Sequence, residues 1–196
     1  MKKIFTLLLA LAVVLTCFTA GGGNMATDGN AQPSDNGGES TSAHDYTPPF
    51  PAFTSETIDG KKVTEEVFKG NKLTMVNIWG TFCGPCINEM PDLEKLSKAY
   101  ADKGVVVIGI CADLFDYIKQ ENNAEKIKDA EDIIADTGVT YMNIVPSVSL
   151  NEAKLDYINT FPTTYFINED GEIVSEYIGS RSEAEWGRII DMMLAE

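Results

Sequence analysis

Apolar residues change their spacing at regular points along this chain. Leu73-Thr74-Met75-Val76-Asn77-Ile78-Trp79 shows almost no polar alternation, which predicts a strand covered on both faces. Residues 105–110 repeat the pattern and predict a second buried strand. Between the two, Ile87, Met90, Leu93, Leu96 and Tyr100 recur at spacings of three and four and predict a helix with one buried face, stopped by Gly104. Residues 53–63 alternate around Asp59-Gly60, a hairpin turn signal, and Thr64 stands where it can cap a short helix ending at Gly70. Residues 113–136 carry eight acids but keep Ile127, Ala130, Ile133 and Ile134 in helical register. They predict a surface helix, or two short ones, ending near Gly138. Residues 164–167 and 173–178 flank Asn168-Glu169-Asp170-Gly171 and predict a strand pair around an Asp-Gly turn. Ser182 with Glu185 forms a capping box, and Trp186, Ile189, Ile190 and Met193 give the last helix an apolar face. Early alternation of strands and helices followed by a late hairpin predicts an α/β domain, a central mixed β-sheet flanked by helices.

The first 47 residues follow a different pattern. A short basic start, Met1-Lys2-Lys3, precedes an apolar run from Ile4 to Phe18 broken only by Thr6, Thr16 and Cys17, so residues 1–20 read as a signal peptide. The run is too short for a membrane span. Val14-Leu15-Thr16-Cys17 resembles a bacterial lipoprotein box with Thr16 where a smaller residue is usual. Lipidation of Cys17 and ordinary cleavage near Thr19-Ala20-Gly21-Gly22 stand as alternatives. Residues 21–47, rich in Gly, Ser, Asn and Asp, read as a flexible linker. The folded domain is expected over residues 48–196, with no internal repeat.

Composition narrows the chemistry. The chain has 196 residues, 44% hydrophobic and 23% charged, with 15 Lys plus Arg against 30 Asp plus Glu and a net charge of -15. Loss of a leader holding Lys2 and Lys3 and no acid makes the remainder -17. Such a field repels phosphate backbones, so no nucleic-acid partner is expected. The single histidine, His44, lies in the linker. Cys-His and Ser-His catalysis therefore lack a base, and no metal site is expected.

The remaining chemistry lies in Cys83-Gly84-Pro85-Cys86, directly after the predicted buried strand and at the first turn of the predicted helix. Free backbone N–H groups and the helix dipole favour a thiolate there, which makes Cys83 the nucleophile. Cys86 lies one turn inward, close enough to close a disulfide and resolve a mixed disulfide. Pro85 fits a first turn. A purely structural bridge is the competing reading, but closing so short a loop removes little chain entropy. Zinc would need a second ligand pair, which Cys111 alone does not supply. Cys111, at the end of the second predicted strand, reads as a buried free thiol. Pro91, inside the helix, is expected to kink it.

Trp79-Gly80-Thr81-Phe82-Cys83-Gly84-Pro85-Cys86, followed by Glu89-Met90-Pro91, resembles the TlpA/ResA branch of the thioredoxin superfamily, exported thiol-disulfide reductases of bacteria. Residues 48–70 are similar to that branch's N-terminal β-hairpin extension. Phe161-Pro162-Thr163-Thr164-Tyr165-Phe166-Ile167 is similar to its cis-proline strand. The resemblance covers about 150 residues and implies a thioredoxin fold with a cis Pro162 facing the cysteine pair. It also implies a substrate surface that includes Trp79, Phe82, Phe161 and Pro162, the Phe161 backbone pairing with a bound strand. An ordinary turn proline is the alternative. Two departures stand out. Asn77 occupies the place where thioredoxins carry a buried aspartate, and Phe82 replaces the usual tryptophan before the first cysteine. Glu89, three residues after Cys86 on the same helical face, matches the acid of the ResA-like proteins. Partly buried, it would have a raised pKa and exchange a proton with Cys86; the alternative is a solvent-facing glutamate.

These features together predict an exported thiol-disulfide oxidoreductase that reduces protein disulfides, a monomer without bound cofactor. Its partners would be disulfide-containing proteins and, by the resemblance, a membrane thiol donor for re-reduction. Lipidation at Cys17 would hold it at the outer face of the cytoplasmic membrane; otherwise it is periplasmic or secreted. An oxidant or isomerase on the same fold, and a lipoprotein binding module with an inert Cys83-Cys86 bridge, are the rival readings. A peroxidase reading is weaker, since no Arg precedes Arg181 to support a peroxidatic cysteine.

Overall fold

The computed structural model describes residues 48–116 and 118–195. The leader, the linker, His44 and Cys17 lie outside them. The hairpin signal at Asp59-Gly60 is realised: β1 (Thr54–Thr57) pairs antiparallel with β2 (Lys62–Thr64). Thr64 then accepts the Glu66 N–H and starts one turn of 3-10 helix, Glu65–Phe68. The next strand, β3 (Leu73–Trp79), is buried at all seven positions, as its unbroken apolar sequence predicts. Helix α1 (Gly84–Tyr100) runs through Pro91 and passes into a last 3-10 turn that Gly104 closes at φ 81°. Strand β4 (Val105–Cys111) pairs parallel with β3 along its whole length.

The segment after β4 departs from expectation. The sequence predicts helix from residue 113, but β5 (Phe115–Asp116) and β6 (Glu121–Asn122) form a small antiparallel hairpin, and α2 (Ala124–Thr137) begins only after Asn123. The Asp116 carboxylate accepts the N–H groups of both Ile118 and Lys119 at 3.0 Å, closing a turn with the amides a helix would have used. Asn123 caps α2 by accepting the Lys126 N–H, and Gly138 ends it. Strand β7 (Asn143–Val145) and helix α3 (Val148–Ala153) had no signal strong enough to predict them. Strands β8 (Thr163–Asn168) and β9 (Ile173–Ile178) form the late hairpin, and α4 (Glu183–Leu194) starts at the Ser182–Glu185 capping box.

Seven strands make one sheet in the order β2-β1-β7-β4-β3-β8-β9. The β3–β4 and β4–β7 pairs are parallel and the rest antiparallel, so the sheet is mixed and the N-terminal hairpin extends it. Strand alternation divides the core in two. Leu73, Met75 and Trp79 pack with Met90, Leu93 and Leu96 of α1, Ala130 of α2, and Trp186 and Ile190 of α4. Val76 and Ile78 face the other way, onto Phe50, Phe53, Phe68, Leu150 and Leu155. This is the thioredoxin fold, with β3 inside the sheet between β4 and β8 and the β3–α1 junction at one end of the sheet. Among the described residues no helix is long and apolar enough to cross a membrane.

Candidate functional site

The cysteine pair stands where β3 hands over to α1. Cys83 is the N-cap of α1 and Cys86 lies one turn in, their Cα atoms 5.3 Å apart and their sulfurs joined as a disulfide. The Cys86 N–H donates to Cys83 Sγ at 3.3 Å. A free amide of the first helical turn thus points at Cys83 Sγ, an arrangement that favours negative charge on that sulfur once the bond is reduced. Cys83 keeps 6% of its surface and Cys86 none, which fits attacking and resolving positions.

Glu89, one turn beyond Cys86, is buried and not solvent-facing. Its Oε1 accepts from Asn77 Nδ2 at 3.0 Å, and its Oε2 from the Arg181 N–H at 3.1 Å and the Trp186 indole at 3.3 Å. Burial pushes its pKa up, and these three donors with the Arg181 charge pull the other way. One carboxylate therefore joins β3, α1 and the start of α4, and it retains a tendency to take a proton.

The loop before β8 comes up against the cysteine loop. The Phe161-Pro162 bond is cis, and Thr163 pairs with Ile78, so Pro162 lies beside the end of β3. Phe82 meets Phe161 edge to face, ring centroids 5.5 Å apart, and Phe82 is 64% exposed. Of the other residues assigned to a substrate surface, Phe161 is half-buried and Pro162 is buried; Trp79 faces into the core. It is fully buried, and its Nε1 donates to Asn143 Oδ1 at 2.9 Å. Its place at the end of a two-sided strand points the ring into the core, so it supports the site from behind and is not available to a substrate.

Sequence reasoning did not single out Asp113 as a site residue. Its carboxylate accepts from the Thr81 N–H at 2.9 Å, the Thr81 hydroxyl at 2.5 Å and the Cys111 thiol at 3.4 Å, with Lys126 Nζ 3.7 Å away. It fixes the loop two residues before Cys83. Its only sequence signal was its place just past the end of a buried strand. Cys111 is a buried free thiol, its pKa pushed up by burial and then by the Asp113 charge, which makes it a poor nucleophile. No cluster of His, Cys, Asp and Glu able to hold a metal occurs among the described residues.

A CxxC disulfide at the N-cap of the first long helix of a thioredoxin fold defines a thiol-disulfide oxidoreductase of the thioredoxin superfamily. The chain belongs to the Redoxin family, which matches residues 47–188. It is 32% identical over 143 residues to the thioredoxin-like protein YneN of Bacillus subtilis, covering 72% of this chain and 76% of that one. It is 33% identical over 131 residues to the thiol-disulfide oxidoreductase ResA of Halalkalibacterium halodurans, covering 67% of each. A thiol:disulfide interchange protein of Chlorobium tepidum superposes with a TM-score of 0.63 at 28% identity, over 78% of this chain and 99% of that one.

Proposed function

We propose that this oxidoreductase is exported and works as a reductant of protein disulfides. The observation that carries this reading is the Cys86 N–H aimed at Cys83 Sγ with a buried carboxylate, Glu89, one turn further along the same helix. Cys83 thiolate attacks a substrate disulfide, forming a mixed disulfide and releasing one substrate thiolate. Cys86 gives its proton to Glu89 and attacks Cys83 Sγ. The second substrate thiolate leaves, and the pair ends as the disulfide described above. Two electrons pass to the substrate, and a membrane thiol donor returns them in the next cycle. Phe82, Phe161 and the Pro162 loop receive the substrate chain beside Cys83.

Export is supported by the leader pattern of residues 1–20, with anchoring through Cys17 the form it takes if that cysteine is lipidated. Gly84-Pro85 between the cysteines supports the reductive direction, and the domain acts as a monomer. The test is the equilibrium reduction potential of the Cys83–Cys86 couple. A value near about -270 mV is expected of a reductant, whereas one near about -120 mV would make the protein an oxidant and reverse the direction.

A further inference from the structure

Asn77 sits in the middle of β3, wholly buried, in register with Gly109 of β4 and Thr164 of β8. Its Nδ2 donates to Glu89 Oε1 at 3.0 Å and to Thr164 Oγ1 at 3.1 Å. Its Oδ1 is buried and has no hydrogen-bond partner among the described residues. An unpaired buried carbonyl oxygen is costly enough to call for a reason.

The two oxygens of Glu89 supply one. Oε2 is occupied by the Arg181 backbone N–H and the Trp186 indole N–H, donors that cannot accept. The hydrogen bond to Oε1 comes from Asn77. A proton arriving on Glu89 therefore settles on Oε1, and on the lone pair that faces Asn77 it would meet the NH2 group, donor against donor. Turning the amide over by half a rotation puts Oδ1 in that position. Oδ1 then accepts from the Glu89 O–H and from the Thr164 hydroxyl, which changes from acceptor to donor. Each state keeps two hydrogen bonds at Asn77 and leaves one amide atom unpaired.

We propose that Asn77 and Thr164 form an amide switch that holds Glu89 in one position in both its ionised and its protonated forms, the Asn77 side chain turning over as the proton arrives and departs. This inference rests on the reading of Glu89 as the proton partner of Cys86. Asn77 and Thr164 are positioning residues; neither touches the sulfurs' chemistry directly. Aspartate at position 77 could not do this, because it would set a second carboxylate against Glu89 Oε1. The other groups acting on or with Glu89 are the Arg181 guanidinium and the Tyr141 hydroxyl, and Cys86 stands one turn back on the same helix.

The test is NMR of the oxidised protein through a pH titration, following the Glu89 δ-carbon and the Asn77 side-chain amide in the same samples. The amide shifts should move with the Glu89 midpoint, and the contact between the Asn77 NH2 protons and the Thr164 methyl should weaken below it. An amide that keeps its shifts and contacts while Glu89 titrates at a raised value overturns the switch and leaves the proton role of Glu89 standing. A Glu89 that titrates at its ordinary value overturns both. In kinetics, Thr164→Val, which preserves the side-chain shape, should slow resolution of the mixed disulfide about tenfold and displace its pH profile. Thr164→Ser should restore both, and first attack by Cys83 should be unchanged. A wild-type pH profile in Thr164→Val overturns the part assigned to Thr164.

Discussion

The Trp79 indole donates to Asn143 Oδ1 at 2.9 Å across the one position in β4 that has no side chain, Gly109. A Cβ at Gly109 would lie 2.0 Å from Asn143 Oδ1 and 3.2 Å from Trp79 Nε1. The glycine is thus required by the bond that ties β3 to β7 behind the cysteine loop, two strands apart in the sheet.

Gly109→Ala should therefore both overpack the core and break that hydrogen bond. A loss of at least about 2 kcal/mol is expected, seen as a lower denaturant midpoint with an unchanged slope. A variant as stable as the wild type would mean that Asn143 can move aside without cost.

Cys83→Ser should abolish disulfide reduction, since the remaining thiol of the pair, Cys86, is fully buried, as is Cys111. Cys86→Ser should instead accumulate a covalent complex with substrate through Cys83, visible as a higher-mass band on non-reducing gels. Multiple turnover by Cys86→Ser would remove the two-cysteine scheme.

Burial holds the Glu89 carboxyl above its ordinary value, so the folded protein binds that proton more tightly than the unfolded chain does. This contribution is complete below the ordinary glutamate value, about 4.3, and is lost as pH rises through the raised one. The unfolding free energy of the wild type relative to Glu89→Gln should fall across that window. A difference that stays constant with pH would show that Glu89 titrates alike in both states. Glu89→Gln should also slow resolution by Cys86 more than attack by Cys83.

Phe82 exposes most of its ring and packs edge to face on Phe161 beside the cis proline. Phe82→Ala should leave stability within about 1 kcal/mol, because little buried area is lost. Its cost should fall on protein substrates, several-fold in kcat/KM, while small disulfides react at the wild-type rate. Equal losses on both would place the effect on Cys83 itself.

Much of this was legible along the chain because it rests on local pattern. β3 and α1 are long enough for their periodicity to be read, and the cysteine pair and Glu89 fall at fixed steps on one helix. The Asn77 and Trp186 contacts to Glu89 were not legible: they join positions 12 and 97 residues away, which only the closed sheet brings together. β7 has three residues, too few to show a period. Residues 115–122 kept the charge of a surface helix, but one aspartate turn decided otherwise. The family resemblance puts Trp79 with the substrate surface, while strand alternation turns its ring inward.

The chain enters the domain at the end of the sheet away from the chemistry. The Ile173 N–H donates to the Pro48 carbonyl and the Phe50 N–H to that of Gly171, so the first described residues are fastened to the β8–β9 turn. The opposite end of β8 carries Pro162, and the length of β3, about 20 Å, separates the two ends. The domain therefore has a handle and a working tip at opposite poles. Immobilised on a bead or fused to a carrier through the segment before residue 48, it should present the cysteine pair outward and react with a bulky partner as freely as the unattached protein does.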